Sequence, residues 1–106
     1  MKPTRLEVQF LSFDGCPLAD VTRQVLEQAL SECGMDQSDY VDVDVMNIAT
    51  PEDLRAWGSP SILINSKDFT GDPPGNAASC RLYDGPDGAP KLAHVIAAIG
   101  SEMKRQ

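Results

Sequence analysis

With 106 residues the chain has the size of one domain and can bury one modest core. Its formal charge is −7, from 16 acidic and 9 basic residues. That balance excludes the broad basic surface needed by general nucleic-acid binders and by proteins drawn to anionic membranes. No run approaches the roughly 20 apolar residues of a membrane span. The opening Met1-Lys2-Pro3-Thr4-Arg5 leads directly into a strand-like segment, so no leader peptide is expected and the cytoplasm is the expected location.

The first element is a strand over 6–13. Leu6, Val8 and Phe10 alternate with Glu7 and Gln9, and Phe10-Leu11-Ser12-Phe13 is apolar on both faces, as in the middle of a sheet. Asp14-Gly15 breaks it. A helix follows over 17–33, on the stripe Val21, Val25, Leu26, Ala29, Leu30 and Cys33, with Pro17 in its first turn and Gly34 as its C-terminal cap. A second strand spans 40–46, with Val41, Val43 and Val45 on one face and Asp42 and Asp44 on a wet one.

Thr50-Pro51-Glu52-Asp53 opens a short helix ending near Trp57-Gly58, with Thr50 as its cap. Trp57 reads as core. Ser61-Ile62-Leu63-Ile64-Asn65 is a third strand after Ser59-Pro60. Residues 66–79 read as a long loop, with Lys67-Asp68-Phe69 a short strand inside it, and Arg81-Leu82-Tyr83 is another short-strand candidate. Asp84–Gly88 is a turn. Leu92, Val95, Ile96 and Ile99 mark a last helix, opened by Pro90 and ending near Gly100. No repeat or linker divides the chain, so residues 1–106 read as one domain. The alternation implies an α/β fold with a parallel-containing sheet covered by helices.

The 3 cysteines are Cys16, Cys33 and Cys80. An odd count without a C-x-x-C pair supports neither a disulfide framework nor a zinc knuckle, and no metal ligands are assigned. Cys33 lies on the apolar stripe and reads as a small core residue. Cys16 stands where a strand hands over to a helix, and unsatisfied N–H groups with the positive end of a helix dipole favour a thiolate at such a place. Asp14, two residues upstream, opposes that effect. Cys80 precedes Arg81 at the end of the long loop. His94, the only histidine, reads as a surface residue. The glycines at 71, 75, 85 and 88 read as turn residues, not a phosphate loop.

The element order resembles the thioredoxin fold, which implies a mixed central sheet of about four strands flanked by helices, and two motifs carry that likeness. Gly15-Cys16-Pro17-Leu18-Ala19 resembles the glutaredoxin-type C-P-x-C motif with alanine in place of the second cysteine. Gly58-Ser59-Pro60-Ser61 resembles the cis-proline turn of thioredoxins and glutaredoxins, which lies beside the reactive cysteine. The likeness covers nearly the whole chain, and the tail pattern is similar to that of small bacterial thioredoxin-like proteins. It implies a thiol-based redox protein, with Cys16 as the nucleophile acting alone or with Cys80 as the resolving thiol. Pro17 and Pro60, with the backbone of Ser59, would then hold the substrate.

The implied partners are protein or small-molecule thiols and disulfides, with no nucleic acid and no membrane. A monomer or weak dimer is the expected state, and no bound cofactor is expected. Glutathione is a candidate co-substrate, although only Gly75-Asn76 stands where glutaredoxins hold it with a glycine-glycine and aspartate signature. Two other readings stand beside the redox one: a non-catalytic binding or adaptor module, and a soft-metal site formed by Cys16 and Cys80.

Overall fold

The computed structural model describes residues 6–55, 57–71, 83, 85 and 88–104. In chain order its elements are β1 (Val8–Ser12), α1 (Ala19–Glu32), β2 (Val41–Asp44), α2 (Glu52–Arg55), β3 (Ser61–Ile64), β4 (Lys67–Asp68) and α3 (Leu92–Lys104). The strands form one 4-stranded sheet in the order β2-β1-β3-β4. β1 and β2 are parallel, joined by the α1 crossover, and β3 is antiparallel to β1 and to β4. The architecture is thus mixed α/β, a four-stranded mixed sheet flanked by helices.

β1 takes a central place because its sequence can face two apolar layers. Phe10 and Leu11 are neighbours in the chain, point to opposite faces, and are both 0% exposed. On Phe10's face, Val8, Ile62 and Ile64 pack with Leu26, Ala29 and Leu30 of α1 and with Val95 and Ile99 of α3. Each such valine, leucine or isoleucine side chain stabilises the fold by about 1.5–3 kcal/mol when taken fully from water. On Leu11's face a smaller cluster joins Leu63, Val45 and Trp57. Trp57 is therefore a core residue, as its sequence context predicts.

Several boundaries differ from the sequence expectation. α1 begins at Ala19 rather than at Pro17. The Ala19 N–H bonds the Cys16 carbonyl at 3.2 Å, so residues 16–19 form a turn before the first helical bond, from Thr22 N–H to the Leu18 carbonyl. The helix ends as its glycine predicts. Gly34 has φ +83°, its N–H bonds the Ser31 carbonyl at 3.0 Å, and the Met35 N–H bonds the Leu30 carbonyl at 2.9 Å. These two bonds make a Schellman closure.

Thr50 does not cap α2. Its hydroxyl donates to the Asp44 carbonyl at 2.7 Å and folds the 46–50 loop back on the end of β2. β2 is also shorter than its alternation suggests, because the Met46 N–H bonds the Asp44 side chain at 2.9 Å and turns the chain. Of the three valines in that alternation only Val45, just past the strand, is buried, while Val41, at the sheet's edge, is 59% exposed.

The start of the 66–79 segment is a hairpin. Asn65 and Ser66 have φ 53° and 69°, the two positive values of a tight two-residue connection, and return the chain along β3 as β4. Gly100 lies inside α3, not at its end. The Arg81-Leu82 part of the last strand candidate, and most of the 66–79 loop, lie outside the described residues.

Candidate functional site

The site begins at the carboxyl end of β1. Past Ser12 the chain turns at Asp14-Gly15, where Gly15 has φ +85°. The Cys16 N–H then bonds the Phe13 carbonyl at 3.2 Å. Cys16 stands two residues ahead of Leu18, the residue that caps α1 and does so without a side-chain bond. The cysteine thus belongs to the turn before the helix, and Pro17 is the exposed residue of that turn rather than the first residue of α1. The side chain of Cys16 is 8% exposed and packs with the larger core cluster.

A cleft of about 480 Å³ opens at this turn, between the first half of α1 and β2. Its lining includes Asp14, Cys16, Asp20, Arg23, Asp42 and Asp44. One guanidinium organises its wall. Arg23 donates to the Tyr40 hydroxyl at 3.2 Å and to the Asp42 carboxylate, and lies 4.6 Å from the centre of the Phe10 ring. Burial works against the charge of Arg23, but the bonds to Tyr40 and Asp42 outweigh it and hold the guanidinium protonated. The Tyr40 hydroxyl in turn donates to the Glu27 carboxylate at 2.7 Å. Burial, with that bond, raises the Tyr40 phenol, while Arg23 pulls it the other way.

The second half of the site is the start of β3. The Ser59-Pro60 peptide is cis. Leu11 of β1 pairs with Ser61 of β3 in antiparallel register, so Ser59-Pro60 comes alongside the last residues of β1, at the same end of the sheet as the Cys16 turn. The Ser61 hydroxyl donates to the Gly58 carbonyl at 2.6 Å, and the Tyr83 hydroxyl donates to the Pro60 carbonyl at 2.6 Å. Ser59 and Pro60 are buried, and neither lines the cleft. The Ser59 hydroxyl is buried and has no hydrogen-bond partner among the described residues.

The remaining candidates sort by position. Cys33 is half-buried behind α1, and its thiol donates weakly to the Ile96 carbonyl at 3.8 Å. Burial, and then the charge of Glu32, raise its thiol above the ordinary range. His94 is exposed on α3, its ring edge-on to Phe69 at 5.0 Å. Cys80 lies outside the described residues. Among the described residues no three His, Cys, Asp or Glu side chains are grouped as a metal ion requires, and no helix is long and apolar enough to cross a membrane. A larger groove, about 790 Å³, lies at the opposite end of β1 and is lined by Leu6, Met35, Tyr40 and Met103. Among the described residues its lining holds no cysteine.

Sequence reasoning missed Arg23, Tyr40 and Tyr83 as site residues. Arg23 and Asp42 carry a usable signal: a helix that crosses over between two adjacent parallel strands sets its inner flank against the second strand's wet face. Tyr83 carries none, because its bond to Pro60 spans 23 residues.

Fold and site together define a mixed α/β protein with a shielded cysteine at the carboxyl end of its central strand. The chain matches no protein-family model, no curated protein and no solved structure.

Proposed function

We propose that the chain is a thioredoxin-like thiol redox protein whose nucleophile is Cys16. The observation that carries this reading is the register of β1 and β3. The Leu11–Ser61 pair draws Ser59-Pro60 to the end of the sheet where the Cys16 turn closes. A cysteine turn and a proline turn at the same end of the sheet, in a strand-helix-strand-helix-strand-strand-helix order, are the combination on which the likeness to thioredoxins and glutaredoxins rests.

In the reaction, the Cys16 thiolate attacks one sulfur of a disulfide. A Cys16–substrate S–S bond forms, the original S–S bond breaks, and the departing sulfur leaves as a thiolate that takes up a proton. A second thiol then attacks the mixed disulfide and frees the reduced substrate. Ala19 is buried in the core where a C-x-x-C motif would keep its resolving thiol. Resolution therefore falls to Cys80 or to an external thiol, and that thiol supplies the remaining electrons by becoming part of the new disulfide.

The cleft sets a preference among substrates. Asp14, Asp20, Asp42 and Asp44 line it, and Arg23, the one arginine among its described lining residues, is paired with Asp42. A wall of that sign favours neutral or cationic disulfides over glutathione disulfide, which carries surplus carboxylates.

The test is reaction of the reduced protein with cystamine and with dithiodipropionate, two aliphatic disulfides of opposite charge, each rate taken relative to that of a free model thiol with the same reagent and each adduct located by peptide mass spectrometry. The expected result is a mixed disulfide at Cys16, formed about tenfold faster with the cationic reagent at low salt and with a smaller ratio at high salt. Cys16→Ser should abolish it. Adducts confined to Cys33 or Cys80, or a rate unchanged in Cys16→Ser, would sink the redox reading.

A further inference from the structure

β2 is an outer strand of the sheet, and one hydrogen bond fixes which of its backbone groups face outward. The Val45 N–H bonds the Ser12 carbonyl at 2.9 Å. In a parallel ladder, alternate residues turn their backbone groups to the partner and to the open side. Val41 and Val43 therefore face β1, and Asp42 and Asp44 face outward. The Asp44 carbonyl already accepts the Asn47 N–H at 3.2 Å and the Thr50 hydroxyl at 2.7 Å. The outward Asp42 amide and carbonyl, with the Asp44 amide, form a short template for a further strand.

Apolar side chains flank this edge. Val41 is 59% exposed, Met46 61% and Ile48 87%. Among the described residues the only other exposed large hydrophobic side chain is Met103. The two bonds to the Asp44 carbonyl pin the 46–50 loop to the strand end, so Met46 and Ile48 are held out on a braced loop.

Charge selects the occupant. β2 alternates valine on one face with aspartate on the other. A second copy paired along the same edge would bring Asp42 and Asp44 against their own counterparts, and like charges opposed across strands are destabilising. A strand with lysine or arginine at every second position meets Asp44, and the exposed carboxylate that Asp42 shares with Arg23, with its charges and the valine face with its apolar residues. We propose that the β2 edge and the Met46–Ile48 loop dock an extended segment of a partner protein in which basic and apolar residues alternate, added as a fifth strand.

This surface makes no use of the Cys16 thiol, so it is tested in the Cys16→Ser protein. The probes are a cysteine-free peptide of alternating lysine and valine and its glutamate–valine counterpart, titrated into isotopically labelled protein and followed by NMR. Expected are shifts confined to residues 41–48 and their β1 neighbours, slowed exchange of the Asp42 amide, and no binding of the acidic peptide. Ile48→Ser, at an exposed site whose change spares the fold, should weaken binding about tenfold, and Asp42→Asn should weaken it as well. Shifts centred elsewhere, equal binding of both peptides, or unchanged affinity in Ile48→Ser would overturn the proposal. So would a concentration-dependent dimer in sedimentation that Ile48→Ser abolishes, because the edge would then be an interface between copies.

Discussion

The Tyr83 hydroxyl reaches across 23 residues to donate to the Pro60 carbonyl at 2.6 Å, closing the Ser59-Pro60 turn from outside the sheet. Pro60 is buried, so this acceptor would otherwise face the cost of desolvation. Tyr83→Phe removes the donor and keeps the ring against Phe69, 5.5 Å away. The expected cost is about 1–3 kcal/mol in denaturant unfolding. A loss under about 0.5 kcal/mol would mean that the bond contributes nothing net.

Cys33 should be the slow thiol. Burial and the neighbouring Glu32 raise it, so less of it is thiolate at neutral pH than of an ordinary cysteine. Iodoacetamide alkylation followed by peptide mass spectrometry should give a Cys33 rate below that of a free cysteine between pH 7 and 9. The suppression should vanish in urea. A Cys33 rate equal to that of a model peptide would refute the assignment.

Tyr40 predicts an alkaline loss of stability. Its folded phenol is raised, so the unfolded chain releases this proton first as pH climbs. The contribution is fully present below the unfolded value of about 10 and is lost as pH rises toward the folded one. Unfolding measured from pH 8 to 11 should show the wild type weakening relative to Tyr40→Phe at the top of that range. Parallel curves would show that Tyr40 titrates alike in both states.

Two glycines should respond with opposite sign to the same change. Gly34 holds φ +83° in the closure of α1, where a Cβ meets no atom but the backbone angle is unfavourable, so Gly34→Ala should cost about 1–2 kcal/mol. Gly100 sits inside α3 at an ordinary angle, with nothing within 4 Å of an added Cβ. Gly100→Ala should stabilise by about 0.5–1 kcal/mol. Thermal unfolding of both variants decides the pair, and two changes of the same sign would contradict the geometry.

What the sequence reveals here follows range. The central place of β1, the stripe of α1 and the glycine that ends it are local patterns, and each is visible in a few consecutive residues. Thr50 misleads because its hydroxyl is turned to donate to the Asp44 carbonyl instead of accepting from the first-turn N–H groups of α2. Pro17 misleads because a turn closed by the Cys16 carbonyl sits where a first helical turn would also fit. At the site, Cys16, Ser59 and Pro60 announce themselves as motifs. The wall of the cleft does not, because Arg23 and Asp42 meet only after the α1 crossover lays helix against strand.

Trp57 is the chain's only tryptophan, 8% exposed and set in the smaller cluster, on the face of the sheet away from Cys16. Its indole is thus an optical gauge built into one layer while the Cys16 side chain packs in the other. Modifying Cys16 can alter its emission only through the strands between them, where Leu11 and Phe10 stand back to back. A fluorescence change on alkylation would therefore measure how stiffly the central strand conveys displacement from one layer to the other.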